Sequence, residues 1–176
     1  MASTRRFRPF DLFSFNQVNL DKLTETYSLG FYYQYMQAWP EFQQVIYSPD
    51  HKIMSYILGK TEGVDTKWHG HVSAVTVAPE YRRMGLAKKL MNYLERLSDD
   101  VNQCYFVDLF VRKSNLVAIN MYERFGYVVY RTILGYYDEG KEDAYDMRKA
   151  LKRDKDKRSM IPIKHPVDPR DIELTM

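Results

Sequence analysis

Hydrophobic and polar residues along the first half of the chain alternate with two different periods. Apolar residues dominate the segments 42–47 and 52–58, and the turn sequence Ser-Pro-Asp-His lies between them. Two β-prone runs joined by a short polar turn predict an antiparallel hairpin. Aromatic residues recur at every fourth position over 31–39, which predicts a helix that ends before Pro40.

The first 20 residues predict a short strand followed by a helix. Asp11 suits the N-cap of that helix, because its carboxylate can accept hydrogen bonds from the first backbone N–H groups. The apolar positions of the helix would be Leu12, Phe13, Phe15 and Val18. A polar linker is expected over 23–27.

The second half of the chain contains two strand–helix units in tandem. Strand–helix–strand continuity favours parallel neighbours, whereas the N-terminal hairpin is antiparallel. We therefore expect an α/β (α+β) protein, one domain with a mixed central sheet and helices on both faces. The predicted elements are a strand over 73–78, a helix over 85–97, a strand over 105–111, a helix over 115–125 closed by Gly126, and strands over 127–134 and 144–149.

The composition fits a single globular domain. Of the 176 residues, 45% are hydrophobic and 28% are charged, close to the averages of soluble domains. The single cysteine, Cys104, cannot form an internal disulfide, which favours a reducing compartment such as the cytoplasm. We expect neither a secretory signal nor a membrane span, because no apolar run approaches the roughly 18 residues that a span needs.

Positive charge is concentrated near the C-terminus. The formal net charge is +3, and the run 149–158 holds six basic and two acidic residues. This basic run could be a solvated face, a contact for an acidic partner, or a contact for ribosomal RNA. The near-neutral remainder gives no reason to expect direct DNA binding. We expect a domain over 1–153 and a charged, proline-punctuated tail over 154–176 that lies against the domain or a partner.

The sequence Arg-Arg-Met-Gly-Leu-Ala over 82–87 lies between a predicted strand and a predicted helix. Backbone N–H groups at a helix start converge on one point, and the helix dipole makes that point attractive to anions. Gly85 allows a phosphate to approach the backbone closely. The same pattern also occurs at ordinary helix starts with solvated arginines. It is not a P-loop, because Gly-Lys-Ser/Thr is missing.

A second motif begins at Asn115. On a helix, Asn115, Ala118 and Tyr122 would share one face, which would then carry an amide, a gap and a phenol. Such a face is a poor pattern for a purely apolar core. The alternative is that Tyr122 is simply a buried tyrosine with a satisfied hydroxyl.

Together, the two motifs resemble the GNAT family of N-acetyltransferases and, more closely, its branch of catalytic subunits of N-terminal acetyltransferase B (NatB). The similarity covers nearly the whole chain. One difference is that Ser73 stands where this branch often has threonine. The matching strings are Leu-Thr-Glu-Thr-Tyr over 23–27, Trp-His-Gly-His-Val over 68–72, Val-Asp-Leu-Phe-Val-Arg over 107–112, Asn-Met-Tyr over 120–122, Tyr-Tyr over 136–137, Asp-Ala-Tyr-Asp-Met-Arg-Lys-Ala-Leu over 143–151, Ile-Pro over 161–162 and His-Pro-Val over 165–167.

The resemblance implies that acetyl-CoA is the cosubstrate. The diphosphate would bind the backbone at the glycine motif, and the pantetheine arm would pair with the preceding strand as an additional strand would. Asn115 would bind the arm from the other side. The residues implied in cofactor binding are Val75, Thr76, Val77, Arg82, Arg83, Met84, Gly85, Leu86, Ala87, Lys88, Asn115 and Tyr122.

Transfer of an acetyl group from a thioester to an α-amine makes three chemical demands. The amine must be neutral, and with a pKa near 8 roughly a tenth of it is neutral at pH 7. The tetrahedral oxyanion needs a donor, for which the Val77 N–H is the candidate. The leaving thiolate needs a proton, and Tyr122 is the implied catalytic acid.

The resemblance also implies a peptide site for N-termini that begin Met-Asp, Met-Glu, Met-Asn or Met-Gln. Aromatic side chains could enclose the methionine. His71 and Ser73, two apart on a strand, could hydrogen-bond the polar second residue. For Glu25 and the two adjacent tyrosines, purely structural roles remain open. The implied residues are Glu25, Tyr27, His71, Ser73, Phe110, Tyr136 and Tyr137.

The other histidines suggest no further chemistry. His69 is expected to serve a turn, and His51 to be a solvated turn residue. The four histidines and the cysteine have no spacing typical of metal ligands, so no metal is expected.

The resemblance implies partners as well: a helical-repeat auxiliary subunit, nascent peptide N-termini and the ribosome. The aromatic helices expected over 12–39 are the candidate docking surface. Two alternatives remain open. One is a GNAT enzyme that acts on lysine side chains or small amines. The other is a catalytically silent subunit that binds peptide N-termini.

Overall fold

A computed structural model describes residues 2–137 and 140–172 of the chain. Seven strands follow one another in a sheet in the order β1-β2-β3-β4-β5-β7-β6. The predicted α/β class with a mixed sheet is confirmed. None of the helices in the described ranges is long and apolar enough to cross a bilayer. The strands and helices are β1 (Ser3–Arg6), α1 (Leu29–Ala38), β2 (Gln44–Tyr47), β3 (Ile53–Glu62), β4 (His69–Val77), α2 (Leu86–Arg96), β5 (Phe106–Arg112), α3 (Leu116–Arg124), β6 (Val128–Tyr137) and β7 (Glu142–Ala150).

The chain divides into two compact units. One comprises the chain up to Lys60 and Val72–Leu97, and the other comprises Thr61–His71 and the chain from Ser98 onward. In the first unit, β1 pairs with β2 and β2 with β3, both antiparallel, so the predicted hairpin is confirmed. The core of this unit is aromatic, with edge-to-face ring contacts that centre on Phe7, Phe15, Tyr32 and Tyr56.

The prediction of a helix after Asp11 is wrong. The segment forms two 3₁₀ turns instead, Pro9–Phe13 and Asn16–Asn19. Three of its apolar residues, Leu12, Phe15 and Val18, lie three positions apart and are all buried. A spacing of three matches the 3₁₀ period of three residues per turn, so this winding brings all three to the core.

Asp11 stabilises the first of these turns from inside it. Its carboxylate accepts a hydrogen bond from the Arg8 N–H at 2.7 Å and forms a two-pronged ion pair with Arg5, at 2.7 Å for each contact. The pair ties the turn to β1. A bidentate contact of this kind is among the stronger kinds of ion pair.

The remaining helices follow the sequence pattern closely. α1 begins after Ser28, whose hydroxyl accepts a hydrogen bond from the Phe31 N–H, and it ends before Pro40. α2 and α3 lie within the predicted ranges. The strands are longer than predicted at several ends. β4 in particular begins at His69 rather than at residue 73, because its first residues are buried in a polar cluster described below.

In the second unit, residues 154–172 lie along β6, the last strand of the sheet. The Ile163 N–H donates to the Tyr130 carbonyl and the Val167 N–H to the Thr132 carbonyl, each at 2.9 Å. These bonds cover part of a strand edge that would otherwise be open. Ile172, the last residue of the tail that the structure describes, is buried. The domain boundary at residue 153 stays a prediction, and residues 173–176 of the tail lie outside the described ranges.

We predict that Ile172→Ala lowers the free energy of unfolding by about 2 kcal/mol, the lower end of the range for such a truncation. Ile172 packs with Ile133 and Ala144, and removing its side chain leaves a cavity there. The control is Ile161→Ala, which truncates the same side chain at an exposed site and should change stability by less than about 0.5 kcal/mol. Urea denaturation of both variants measures the difference, and equal effects would contradict the packing role.

Candidate active site

The glycine motif forms a tight connection between β4 and α2. Arg83 and Gly85 both have left-handed backbone conformations, with φ of 65° and 77°. Gly85 precedes the first residue of α2 and has no side chain to cap it. A Cβ placed on Gly85 would meet no atom of the described chain within 4 Å. The first N–H groups of α2 therefore lie beside open space, as an anion site requires.

The charged residues of this segment are not equivalent. Arg82 forms an ion pair with Asp21 at 2.8 Å, and its Nε donates to the Val77 carbonyl at 3.3 Å. Arg83 and Lys88 are exposed. The Asp21 carboxylate offsets part of the Arg82 charge, so Arg83 and Lys88 carry more of the available positive potential. Of the other predicted members of the motif, Met84 is exposed, Ala87 is half-buried and Leu86 is buried in the core.

The end of β4 carries the three residues predicted to pair with the pantetheine arm. The Thr76 hydroxyl donates to the Val18 carbonyl at 3.2 Å and lies 3.3 Å from the Thr24 hydroxyl. The side chain of Thr76 is thus committed to the core, and its backbone is the part that remains for a ligand. Val75 and Val77 are half-buried.

The second motif differs from its predicted geometry at Asn115. This residue is not on the helix; it is the N-cap of α3, and its Oδ1 accepts a hydrogen bond from the Ala118 N–H at 3.1 Å. The prediction that Asn115, Ala118 and Tyr122 share a helix face is therefore wrong for Asn115. The cause is local. An asparagine side chain at a helix start accepts a hydrogen bond from one of the first backbone N–H groups of the helix, so Asn115 caps α3 and is not part of it.

Tyr122 is buried on α3, edge-on to the ring of Tyr127 with 6.0 Å between centroids. Burial raises the pKa of its phenol well above the ordinary value near 10. The phenol consequently stays protonated throughout the neutral range and can act as a hydrogen-bond or proton donor.

An aromatic stack in the first unit contains Tyr27 and contacts Ser73, two of the predicted peptide-site residues. The rings of Tyr27, Phe31 and Tyr35 stack with centroid separations of 4.1 and 4.3 Å. The Tyr27 hydroxyl donates to the Ser73 carbonyl at 2.9 Å, and the Ser73 hydroxyl donates to the Tyr35 hydroxyl at 2.8 Å. The Ser73 proton is therefore engaged, which leaves its oxygen as an acceptor. Glu25 is half-buried in the preceding loop.

A second aromatic group lies in the other unit. The Phe110 ring contacts His71 and Tyr136 edge-on, with 5.1 Å between centroids in each case. Tyr136 in turn lies edge-on to Tyr137 at 4.9 Å, and the Tyr137 hydroxyl donates to the Phe110 carbonyl at 3.1 Å. Tyr136 is exposed, so this group of four rings has one open side.

A buried charged cluster adjoins this second aromatic group through His71. Asp108, at 0% exposure, has one carboxylate oxygen 2.8 Å from His71 Nδ1 and the other 3.4 Å from His69 Nε2. Glu62 lies 3.6 Å from His69 and 3.7 Å from His71. His69 lies on β4, and its Nδ1 contacts the Lys67 carbonyl of the preceding 3₁₀ turn at 2.6 Å. The expectation that it serves a turn is therefore incomplete, because its Nε2 also faces Asp108.

The charge states within the cluster follow from its contacts. Burial alone would raise the pKa of Asp108, but His69, His71 and Arg148 outweigh it and hold that pKa well below the usual range. Burial alone would lower the pKa of His69, but Asp108, Glu62 and the Lys67 carbonyl outweigh it and raise that pKa. Asp108 is therefore ionised, and His69 is its imidazolium partner in mildly acidic solution.

The same cluster is the grouping that could offer metal ligands. Donor atoms of Glu62, His69 and His71 lie within 4.8 Å of one another, which the sequence spacing did not indicate. We interpret the cluster as a set of ion pairs, because the His71 Nδ1 contact with Asp108 occupies an atom that a metal would need. The prediction that no metal binds stays a prediction.

Asp108 and Glu62 were missed by reasoning from the sequence. Asp108 is the one carboxylate within a strongly β-prone run, and a carboxylate in a strand buried on both faces requires a partner. That signal was available in the sequence. Glu62 gave no such signal, since it lies in the sequence Thr-Glu-Gly-Val-Asp over 61–65, which has no β-prone run around the carboxylate.

Comparisons with known proteins agree with these features. The acetyltransferase (GNAT) family profile matches residues 12–127. The chain is 58% identical to N-alpha-acetyltransferase 20 of Dictyostelium discoideum, over 99% of this chain and all of that protein. It is 55% identical to the N-terminal acetyltransferase B complex catalytic subunit NAA20 of Arabidopsis thaliana, over 98% and 99% of the two chains. It superposes on Chaetomium thermophilum Naa20, solved in complex with a bisubstrate analogue, with a TM-score of 0.89, 46% identity and coverage of 96% and 97%.

We predict that His69→Gln costs most stability in mildly acidic solution. A raised histidine pKa contributes stability that is fully present below the unfolded value near 6.5 and is lost as pH rises through the folded value. The depressed pKa of Asp108 keeps its charge in place throughout the range from pH 5 to pH 9. The difference in Tm between wild type and variant should therefore be largest near pH 5 and shrink toward pH 9. His165→Gln, at an exposed histidine, should show a small difference that does not vary with pH, and a similar profile for His69→Gln would refute the ion pair.

Proposed function

The chain belongs to the acetyltransferase (GNAT) family and, within it, to the catalytic subunits of N-terminal acetyltransferase B, and from this premise we propose its substrates, site residues and partners. It is an enzyme that transfers the acetyl group of acetyl-CoA to the α-amine of a protein N-terminus. The observation that carries this proposal is the loop before α2, where left-handed Arg83 and Gly85 leave a helix N-terminus beside open space.

Acetyl-CoA would bind along β4 and α2. The diphosphate is placed on the first N–H groups of α2, with Arg83 and Lys88 as the exposed cations nearest in sequence. The amide groups of the pantetheine arm would pair with the backbone of Val75–Val77, since the Thr76 side chain is already committed to the core. Asn115, whose Oδ1 caps α3, would contribute its amide nitrogen as a donor to the arm.

Each change in charge during the acetyl transfer is assigned to one group of the protein. The neutral amine attacks the thioester carbonyl, the Val77 N–H stabilises the oxyanion, and the C–S bond then breaks to release a thiolate. Tyr122 would protonate that thiolate. Burial holds the pKa of Tyr122 well above that of a thiol, near 8.5, so the phenolate left by this transfer would take up the surplus proton that the new amide nitrogen loses, which returns Tyr122 to its protonated form.

Substrates would begin Met-Asp, Met-Glu, Met-Asn or Met-Gln. The aromatic residues Tyr27, Phe110, Tyr136 and Tyr137 would enclose the methionine side chain, and Glu25 is also assigned to the peptide. His71 would hydrogen-bond the polar second residue, and Ser73, whose proton is donated to Tyr35, would accept from the side-chain amide of an asparagine or glutamine there. A site that offers hydrogen bonds rejects an apolar analogue strongly, because its own polar atoms are then left unpaired.

The enzyme would work in the cytoplasm, on nascent chains at the ribosome, together with a helical-repeat auxiliary subunit. The sequence-based docking surface over 12–39 needs correction, because Leu12, Phe15, Val18, Tyr32 and Tyr35 are core residues of the first unit. The surface we propose instead consists of exposed apolar residues, an unusual concentration for a free face. They are Phe10, Phe13, Leu20, Leu29 and Tyr33.

The basic run 149–158 is partly used within the second unit. Lys152 forms ion pairs with Asp99 and Asp100 at 3.0 and 2.8 Å, and Arg153 donates to the Gln103 carbonyl at 2.8 Å. A contact with ribosomal RNA would therefore fall to the exposed residues further along the run, Lys155 and Lys157 among them.

Initial rates on three peptides test the proposed function. The chain is co-expressed with its auxiliary subunit and supplied with acetyl-CoA and peptides that begin Met-Asp or Met-Leu, or that carry a blocked N-terminus and an internal lysine. We expect kcat/KM for Met-Asp to exceed that for Met-Leu by roughly 100-fold or more. Preference for the lysine peptide would support the lysine alternative, and binding without turnover would support the silent subunit.

We predict that Gly85→Asp abolishes acetyl-CoA binding in calorimetry while the chain stays folded. A carboxylate at the start of α2 would occupy the anion site and repel the diphosphate. Aspartate adopts the left-handed conformation of Gly85 more readily than most residues, at a cost of about 1–2 kcal/mol that the fold should withstand. Asn92→Asp adds the same charge at an exposed position near the other end of α2 and should bind normally. Affinity within a few-fold of wild type for Gly85→Asp would exclude this site.

We predict that Tyr122→Phe lowers kcat by about 10- to 1000-fold with little change in KM, the effect expected for loss of a general acid. Tyr127→Phe removes a hydroxyl from the adjacent buried ring and serves as the matched control, with kcat expected within a few-fold of wild type. If kcat of Tyr122→Phe is unchanged in steady-state assays, the tyrosine only packs and the thiolate obtains its proton elsewhere.

A further inference from the structure

Arg112, the last residue of β5, is buried, and no step of the proposed function uses its charge. A guanidinium removed from water is unfavourable unless it is paired. Glu142, the first residue of β7, supplies the partner, because its Oε2 accepts a hydrogen bond from Arg112 Nη1 at 3.0 Å. The pair therefore ties the end of β5 to the start of β7.

A second contact of Arg112 lies in the proposed peptide site. The carbon of its guanidinium lies 4.4 Å from the centre of the Tyr137 ring, the geometry of a cation–π contact. The Tyr137 hydroxyl donates to the Phe110 carbonyl at 3.1 Å. Phe110 and Arg112 are two positions apart on β5, so their side chains point to the same face of the strand. Tyr137 is thus held at its hydroxyl by the backbone of β5 and at one ring face by Arg112.

The backbone ladder between β6 and β7 is irregular where the two adjacent tyrosines lie. The register shifts between Ile133 and Tyr137. Gly135, within this stretch, has a φ of 56°, and its N–H donates to the Asp143 carboxylate at 3.0 Å. Because regular strand pairing is interrupted here, side-chain contacts are needed to fix the position of Tyr137.

Glu142 is held in turn by the residues that precede α3. Its Oε1 accepts hydrogen bonds from the Ser114 hydroxyl and, at 3.0 Å, from the Ser114 N–H. These bonds, together with the Arg112 guanidinium, hold the pKa of the Glu142 carboxyl below its usual range, so the carboxylate is ionised at neutral pH. The cation beside Tyr137 is therefore anchored by a fixed negative charge.

We propose that Arg112 and Glu142 are positioning residues for peptide binding, which together fix the Tyr137 ring where the first side chain of the substrate contacts it. The inference rests on the proposed role of Tyr137 in enclosing the methionine. A ring that is fixed before the peptide arrives loses little conformational entropy on binding. The pair therefore strengthens binding of the peptide and leaves the rate of acetyl transfer to other groups.

Arg112→Met tests the proposal, because methionine fills much of the same space without the charge. We expect KM for the Met-Asp peptide to rise about 3- to 30-fold, the range that corresponds to one cation–π contact. kcat should stay within about twofold of wild type, since the contact acts on binding. kcat/KM for Met-Leu should fall by the same factor as for Met-Asp, because Tyr137 is assigned to the first residue. A KM within twofold of wild type, or a loss confined to kcat, would overturn the proposal.

Lys113→Met is the matched control for charge. It removes an equal positive charge from the next residue, whose ammonium pairs with Asp143 at 3.4 Å and lies over the ring of Tyr145. KM for Met-Asp should stay within about twofold of wild type. A rise equal to that of Arg112→Met would mean that positive charge merely attracts the acidic peptide, and it would overturn the proposal.

Two further variants test whether the effect passes through Tyr137 and whether it depends on Arg112→Met being folded. In a Tyr137→Leu background, Arg112→Met should change KM by less than about twofold, because the ring that it positions is absent. Effects that multiply independently would overturn the proposal. Glu142→Ala truncates a half-buried side chain, which the fold should tolerate, and should raise KM at least about threefold with kcat unchanged. An unchanged KM in this variant would also overturn the proposal.

All variants are assayed as the complex with the auxiliary subunit, with saturating acetyl-CoA and varied peptide. A wild-type complex that does not acetylate the Met-Asp peptide would refute the proposed function and this inference with it. A wild-type complex that acetylates the peptide, with KM unchanged in Arg112→Met and Glu142→Ala, would overturn only the positioning role of the pair.

Discussion

The requirement that a buried carboxylate be paired shapes the second unit more than any other interaction. An isolated ionised group in a protein interior is so unfavourable that it must find partners or lose its charge. Asp108 finds them on both sides: His69 and His71 on β4, and Arg148 at the register position opposite it on β7. The order and register of these strands are therefore the ones that keep this charge compensated.

The pairing continues across the remaining strands. Arg148 donates two hydrogen bonds to Asp146 on its own strand, at 3.1 and 3.0 Å, and Arg131 on β6 donates to the same carboxylate at 2.8 Å. Alternating positive and negative side chains thus connect β4, β5, β7 and β6. A slip of one residue in any pair would break the series, so it specifies the register of the sheet as well as stabilising it.

The proposed recognition site uses this rigid layer as its support. His71 belongs both to the charged series and to the aromatic group around Phe110. The tail contributes from another direction, since buried Ile172 belongs to a cluster against which Phe110 and Tyr137 pack. Recognition side chains fixed in this way lose little conformational entropy when a peptide binds. The proposed anion site at Gly85 depends instead on backbone N–H groups at the start of α2, with Arg83 and Lys88 as exposed cations near them.

The sequence by itself determined the features that depend on local physics. Amphipathic periodicity predicted α1, α2 and α3, and the Ser-Pro-Asp-His turn predicted the β2–β3 hairpin. The glycine after a hydrophobic strand predicted the start of α2, where we propose the anion site. The tertiary structure decided whatever depends on partners distant in sequence. The 3₁₀ winding over 9–19 brings Leu12, Phe15 and Val18 into a core that includes Tyr32 and Tyr56. The start of β4 at His69 brings that side chain to Asp108, 39 positions away in sequence. Periodicity describes only a residue's neighbours along the chain. It therefore cannot show that a buried charge is stabilised by a partner that folding brings close.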